Sequence, residues 1–324
     1  MLPSFDYVRP DTVNAAVEAL KDDGAVVYGG GTDLLGCLRE GIFDVKTVVS
    51  ISRIPALKGI RETADGGLRI GALTTITEIE THPVIRKRYP GLAMAAGEVA
   101  SPQLRNSGTI GGNLCQKPRC WYYRGEFHCL RKGGGICFAA DGENQLHCII
   151  GSDDICYVVH PSDPAPALVA LNARLRLVGP EGERTVAAGD FFIPPSVDVT
   201  RETDLKTGEI VAEVLLPAPP PGLKSRYRKV RTRRSWDFAI AGVALALQFD
   251  GETVKAGRVV LSGAAPIPWR SKPAEAAIMG KRLDEATIAN AAEAAVQDAM
   301  PLAKNGYKVP IFKGVLTEEL MAIA

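Results

Sequence analysis

The sequence predicts an α+β or α/β chain organised as two domains, and three observations carry that expectation. Short strand signals alternate with short helical ones across residues 47 to 110. A length of 324 residues with 46% apolar side chains exceeds what one core fills economically. Four prolines, in Pro217-Ala218-Pro219-Pro220-Pro221-Gly222, then interrupt the chain where neither a helix interior nor a central strand can continue. The expected domains are 1–217 and 222–324.

In chain order, Asp11 is positioned to cap an amphipathic stretch from Thr12 to Lys21, which Gly24 ends, and Ala25-Val26-Val27-Tyr28 reads as a short buried strand. Gly29-Gly30-Gly31-Thr32-Asp33 follows it. A glycine-rich loop after a strand lets the backbone approach a phosphate, because no Cβ intervenes and successive N–H groups can point at one anion; a plain turn uses the same residues. Two common phosphate loops are excluded by spacing. Leu34 stands where the third glycine of G-x-G-x-x-G belongs, and Cys37-Leu38 replaces the Lys and Ser/Thr of a P-loop.

Strands are expected at Thr47–Ile51 and Leu68–Ile70, and helices at Ile76–Glu80 and Gly91–Val99. A second glycine loop, Gly108-Thr109-Ile110-Gly111-Gly112-Asn113, comes next. Beyond a cysteine-rich stretch, Pro161-Ser162-Asp163-Pro164 precedes an apolar run to Leu171, and Ala173–Val178 reads as a strand. In the second domain, Ala239–Phe249 and Val254–Leu261 flank Asp250-Gly251 like a hairpin, and Leu283–Met300 has helical periodicity.

Thirty-eight basic and 37 acidic residues nearly cancel, so no nucleic-acid or acidic-lipid partner is expected. The sequence from Met1 to Asp6 has neither a basic nor an apolar leader region, and no apolar run approaches the roughly 18 residues of a membrane span. Arg226–Arg234 is the one basic patch, interleaved with aromatics as far as Phe238. In a neutral chain it reads as a solvated strand face, or as a phosphate or subunit contact, rather than a nucleic-acid surface.

Six of the seven cysteines (Cys115, Cys120, Cys129, Cys137, Cys148, Cys156) fall between residues 115 and 156. A chain of this size does not need disulfides, so ligands are the better reading. No C-x2-C pair occurs, which separates the pattern from zinc ribbons and bacterial ferredoxins. Glycines 125 and 133–135 supply bends that let spaced thiolates surround a cluster, and Trp121, Tyr122, Tyr123 and Phe127 could bury it. His128 and His147, beside Cys129 and Cys148, keep a mixed Cys/His zinc site open.

Three segments together resemble a known family. Val27-Tyr28-Gly29-Gly30-Gly31-Thr32-Asp33, Arg105-Asn106-Ser107-Gly108-Thr109-Ile110-Gly111-Gly112-Asn113-Leu114 and Ser162-Asp163-Pro164-Ala165-Pro166-Ala167 are similar, in order and separation, to the FAD-contacting segments of the flavin-binding subunit of xanthine dehydrogenase-type enzymes. Lys229, Arg233-Arg234 and Val259–Trp269 continue the resemblance through most of the chain. It implies a FAD-binding fold of the vanillyl-alcohol oxidase/PCMH type, with subdomains about 1–55 and 56–217. A smaller α+β C-terminal domain like that of CO dehydrogenase flavoproteins is implied to follow.

The insertion resembles the loop of the 4-hydroxybenzoyl-CoA reductase β subunit and that of the periplasmic aldehyde oxidoreductase flavin subunit, both of which hold a 4Fe-4S cluster. The second likeness implies Cys120, Cys129, Cys137 and Cys156 as ligands. The reductase-like pattern departs at Cys129 and places a cysteine near Leu146, which holds Cys148 in reserve. Cys115 belongs with the flavin motif.

By the same resemblance, Val27, Tyr28, Gly29, Gly30, Gly31, Thr32, Asp33, Leu34, Thr109, Gly111, Gly112, Asn113, Asp163 and Lys229 are the expected FAD-binding residues. Thr32, Thr109 and Asn113 are expected to hydrogen-bond the cofactor, Asp163 to accept from ribityl or ribose hydroxyls, and Lys229 to stabilise reduced flavin near its N1 edge. The implied function is electron transfer to an external acceptor, with substrate oxidised at a molybdenum cofactor on a large partner subunit and electrons relayed by 2Fe-2S clusters on a small one, as a heterotrimer or its dimer. Aldehyde is the substrate class favoured by the insertion. An aryl-CoA reductase subunit, a free-standing FAD oxidase and a zinc-binding module are the alternatives. The compartment is expected to be the cytoplasm, or the periplasm by export with a signal-bearing partner.

Overall fold

A computed structural model describes residues 2–324; Met1, the first residue of the expected N-terminal domain and of the segment examined for a leader, lies outside the described residues. The described residues form three sheets with helices packed between and outside them, an α+β arrangement. The first sheet is parallel, with β1 (Asp6–Val8), β2 (Ala25–Tyr28) and β3 (Thr47–Ser50) in the order β1-β3-β2. The second is antiparallel, with β4 (Ile60–Glu62), β5 (Leu68–Gly71), β6 (Arg174–Gly179), β7 (Gly182–Ala187) and β8 (Ile210–Leu216) in the order β4-β5-β8-β6-β7. The third, also antiparallel, contains β9 (Leu223–Val230), β10 (Ala241–Asp250), β11 (Thr253–Ser262) and β12 (Trp269–Arg270) in the order β12-β11-β10-β9.

Side-chain alternation in β10 explains how the third sheet joins the rest of the chain. Val243, Leu245 and Leu247 face a core completed by the C-terminal helices Lys272–Ile278, Glu285–Ala295 and Lys308–Ile323. On the opposite face the small Ala244 and Ala246 enter the core of the second sheet, where the apolar helix Pro164–Ala170 also packs. Small residues on one face allow close approach of that helix, so both faces of the strand are buried.

Several local expectations shift. Thr12, rather than Asp11, caps the first helix, Val13–Ala19, its hydroxyl accepting from the Ala15 amide. The second glycine loop becomes a helical turn, Ile110–Leu114, capped by Thr109 through the Gly112 amide at 3.3 Å. The helix expected over Leu283–Met300 is confined to Glu285–Ala295. Asp284 caps it, while Met300, disfavoured from helix by the following Pro301, donates its amide to Ile149 O at 2.7 Å. The 16-residue helix Lys308–Ile323 had no clear sequence signal. Its Pro310 sits in the first turn, where a missing N–H costs nothing.

Candidate functional site

The loop after β2 and the turn before Ile110 come together at the junction of the first two sheets. Gly30 makes this possible, because a Cβ there would lie 1.9 Å from Ser107 O. Among the described residues, the amides of Gly30 to Leu34 donate to no protein carbonyl, which leaves consecutive donors free at the head of a cleft. The cleft has two connected lobes. One, of about 350 Å³, is lined by Val27, Gly29, Gly30, Gly31, Thr32, Asp33, Leu34, Thr109, Gly111 and Gly112 among others. The second, about 250 Å³, shares Thr32, Asp33, Thr109 and Gly112 and adds Asn113, Asp163 and Lys229. Of the fourteen expected flavin residues only Tyr28 is absent from these walls. Its ring instead backs Gly31, 2.5 Å from where a Cβ would stand, and meets Tyr7 edge-on.

Asp33 lines both lobes and is also a junction. Its Oδ1 accepts from Arg119 Nη1 (2.9 Å) and Arg124 Nη2 (2.8 Å), and its Oδ2 from the Lys117 amide (2.7 Å). All three donors belong to the cysteine-rich insertion, so one carboxylate ties the glycine loop to it. Asp163 and Lys229 meet each other: Lys229 Nζ donates to Oδ2 at 2.7 Å, Tyr227 donates to Oδ1 at 2.7 Å, and Lys229 also donates to Glu98 O at 3.1 Å. The pair is buried, with 1% and 5% of the side chains exposed. Burial raises the Asp163 carboxyl and the lysine opposes that rise.

The pairing follows from alternation in β9, which turns Ser225, Tyr227 and Lys229 inward and presents Arg226 and Arg228 outward to Glu319 and Glu318. Arg231 and Arg233 are likewise paired, with Glu98 and Asp237. The basic stretch is thus a strand face and loop in which Arg226, Arg228, Lys229, Arg231 and Arg233 are paired within the chain.

In the insertion, Cys120, Cys129, Cys137 and Cys156 all line one small enclosed cavity, together with His147, Tyr122, Tyr123, Arg131 and Phe138. Cys148 is not on its wall; it is buried against Ala139 and Tyr157, and burial pushes its thiol well above the usual range. Cys115 lines the larger lobe of the cleft. Gly134 folds the chain tightly at Cys129, since a Cβ there would lie 1.8 Å from His128 O. Tyr122, Phe127 and Phe138 stack around the site with centroids 5.0 to 6.0 Å apart.

The donor set is four soft thiols and one imidazole, His147 Nε2 lying 3.2 Å from Cys120 Sγ. Burial raises Cys120 to about 11. Among the described residues no three His, Cys, Asp or Glu side chains converge closely enough to coordinate a single ion. His128 lines none of these cavities.

Sequence reasoning passed over Gln116, Arg119, Trp236 and Phe238, which complete the smaller lobe. Trp236 is 59% exposed with φ of 72°, and its amide donates to the O of Ala100, itself at φ 42°. Two non-glycine residues in the left-handed region facing one cleft are an uncommon pairing that only tertiary structure reveals.

Comparison with known proteins gives a consistent result. Residues 3–219 match the FAD binding domain in molybdopterin dehydrogenase, and residues 225–322 match the CO dehydrogenase flavoprotein C-terminal domain. The chain is 36% identical over 324 residues to the aldehyde oxidoreductase FAD-binding subunit PaoB of Escherichia coli K12, covering 98% of each. It is 31% identical over 302 residues to the carbon monoxide dehydrogenase medium chain of Hydrogenophaga pseudoflava, covering 92% of this chain and 88% of that one. A solved structure of carbon monoxide dehydrogenase from that organism superposes with a TM-score of 0.78 at 29% identity, covering 98% of this chain and 96% of the other.

Proposed function

The chain belongs to the family of FAD-binding medium subunits of xanthine dehydrogenase-type molybdenum hydroxylases, and on that premise we propose that it also holds a 4Fe-4S cluster and serves as the electron-transfer subunit of an aldehyde-oxidising complex. The observation that carries the proposal is the meeting of Cys120, Cys129, Cys137 and Cys156 on one cavity wall, with Cys148 held apart. Spread over 37 residues (120 to 156) without a close pair, these thiols have no local reason to meet.

FAD supplies two-electron chemistry that can proceed in single-electron steps, and the cluster supplies one-electron chemistry. The protein's own residues bind, orient and shield. The free amides of Gly30 to Leu34 present donors for a pyrophosphate, and Thr32, Thr109 and Asn113 offer side-chain partners to the ribityl chain. Asp163, already accepting from both Tyr227 and Lys229, fixes the lysine at the wall of the smaller lobe, where the flavin ring would lie. Lys229 therefore acts as half of a buried pair rather than as a free cation. Asp33 joins the two cofactor sites mechanically through Arg119, Arg124 and Lys117.

We place the domain division at the proline segment, with subdomains about 1–55 and 56–217 before it and residues 222–324 after it. The two family matches, ending at 219 and beginning at 225, support that placement. The partners in this reading are a large molybdenum-cofactor subunit and a small 2Fe-2S subunit that delivers electrons, with an external acceptor beyond. Aldehyde is favoured over an aryl-CoA thioester by the 36% identity to an aldehyde oxidoreductase subunit across the whole chain. No described helix is long and apolar enough to cross a membrane; the proposed compartment is the cytoplasm, or the periplasm by export with a partner.

Single Cys→Ser variants of the full chain test the ligand set. Cys129→Ser is expected to lose cluster iron, while Cys148→Ser keeps a full complement. The reverse result would show that Cys148 is the fourth ligand.

A further inference from the structure

We infer that Lys308 is an electrostatic positioning residue for the proposed cluster, supplying a buried positive charge that adds to that of Arg131 on the cavity wall and favours the cluster's reduced form. This rests on the 4Fe-4S reading above. Lys308 opens the C-terminal helix Lys308–Ile323 and is 0% exposed. Its Nζ donates to His147 O at 2.9 Å and to Gly263 O at 2.6 Å, and among the described residues no carboxylate pairs with it.

An ammonium buried on neutral acceptors alone is costly, so a compensating charge is to be expected nearby. Cys148 does not provide it, because burial keeps that thiol protonated. Burial lowers Lys308 to about 8, and its two carbonyl acceptors, His147 O and Gly263 O, suit the ammonium form.

The contact is one residue removed from the cavity. His147, whose carbonyl Lys308 grips, puts its ring on the cavity wall with Nε2 3.2 Å from Cys120 Sγ. The His147 Nδ1 is buried and finds no hydrogen-bond partner, while the ring packs edge-on against Trp121 with centroids 6.2 Å apart. Asn305 adds bonds to the carbonyls of His147 (3.2 Å) and Cys148 (3.0 Å), and the Lys304 amide donates to Asn144 Oδ1 at 3.0 Å. One end of the C-terminal domain thus clasps the distal half of the insertion. A thiolate-ligated cluster carries net negative charge that grows by one on reduction, so a fixed cation in a poorly hydrated surround favours the reduced state.

The test uses the full-length wild-type chain with Lys308→Gln, Lys308→Met and Lys308→Arg, each assayed for iron, acid-labile sulfide and FAD, then titrated potentiometrically with EPR and visible detection. Lys308→Gln, which keeps a hydrogen-bond donor but not the charge, is expected to keep full iron with a lower cluster midpoint and a smaller change at the flavin. Lys308→Arg is expected to hold the wild-type midpoint. An unchanged midpoint in Lys308→Gln overturns the inference. Loss of iron in Lys308→Gln also overturns it, since the lysine would then be a structural clamp. If Lys308→Met does not fold, the Gln and Arg pair still decides the matter. A wild-type chain without iron is a different failure, which removes the cluster reading itself.

Discussion

Gly30→Ala should damage FAD binding more than any other single-methyl change in the glycine loop's contact with Ser107. The added Cβ would stand 1.9 Å from Ser107 O and 2.8 Å from its carbonyl carbon, both backbone atoms that cannot rotate away. To reach even 3.0 Å from that oxygen the two segments must separate by at least 1.1 Å (3.0 minus 1.9). Overpacking of this kind costs about 1–3 kcal/mol. The displacement also moves the free amides of Gly30 to Leu34 relative to Thr109. If two cofactor hydrogen bonds are lost at about 1 kcal/mol each, affinity falls roughly thirtyfold. Flavin fluorescence titration of the stripped protein measures the affinity directly, and flavin absorbance of the protein as purified gives occupancy. Gly314→Ala is the control, since a Cβ there meets nothing within 4 Å. Wild-type affinity in Gly30→Ala would refute the close-approach argument.

Two further perturbations address the buried polar groups. Lys229→Met leaves Asp163 without its cation, a loss expected to cost about 3–5 kcal/mol in urea unfolding, and adding Asp163→Asn should recover part of it; no recovery would mean that the pair does not act as a unit. His160 is wholly buried against Phe192, its Nδ1 accepting from the Ser162 amide, and burial lowers it to about 3. The unfolded chain takes up this proton below about pH 6.5 while the folded chain does not, so stability falls with acidification between 6.5 and about 3, by up to about 1.4 kcal/mol per pH unit. His160→Asn, which keeps an acceptor without the titration, should flatten that slope by about one proton; an unchanged slope would assign the acid sensitivity elsewhere.

The parts of the fold legible in the sequence are those set by local periodicity and turn chemistry. Residues 241–250 alternate between small and large apolar side chains, and Asp250-Gly251 marks the turn, so the hairpin could be read directly. The alternating short signals left α+β and α/β both open, and the family resemblance implied the α+β class that the sheets show. The helix Lys308–Ile323 was hidden because Pro310 reads as a breaker unless the helix start is known. The strand-face reading of Arg226–Arg234 met β9, but not the inward turn of Lys229, whose charge makes sense only beside Asp163, 66 positions away in sequence. The same limit applies to the candidate site. Spacing alone gave clustered thiols but not their common cavity, and the resemblance to flavin-binding segments named Asp33 without its role as the tie to Arg119 and Arg124.

The central claim, that one chain holds both FAD and a 4Fe-4S cluster, is tested most directly by cofactor stoichiometry of the full-length chain expressed and purified anaerobically without its partners. The account predicts one FAD with about four iron and four acid-labile sulfide per chain, and no stoichiometric zinc. One FAD with zinc, or with no metal at all, would contradict it.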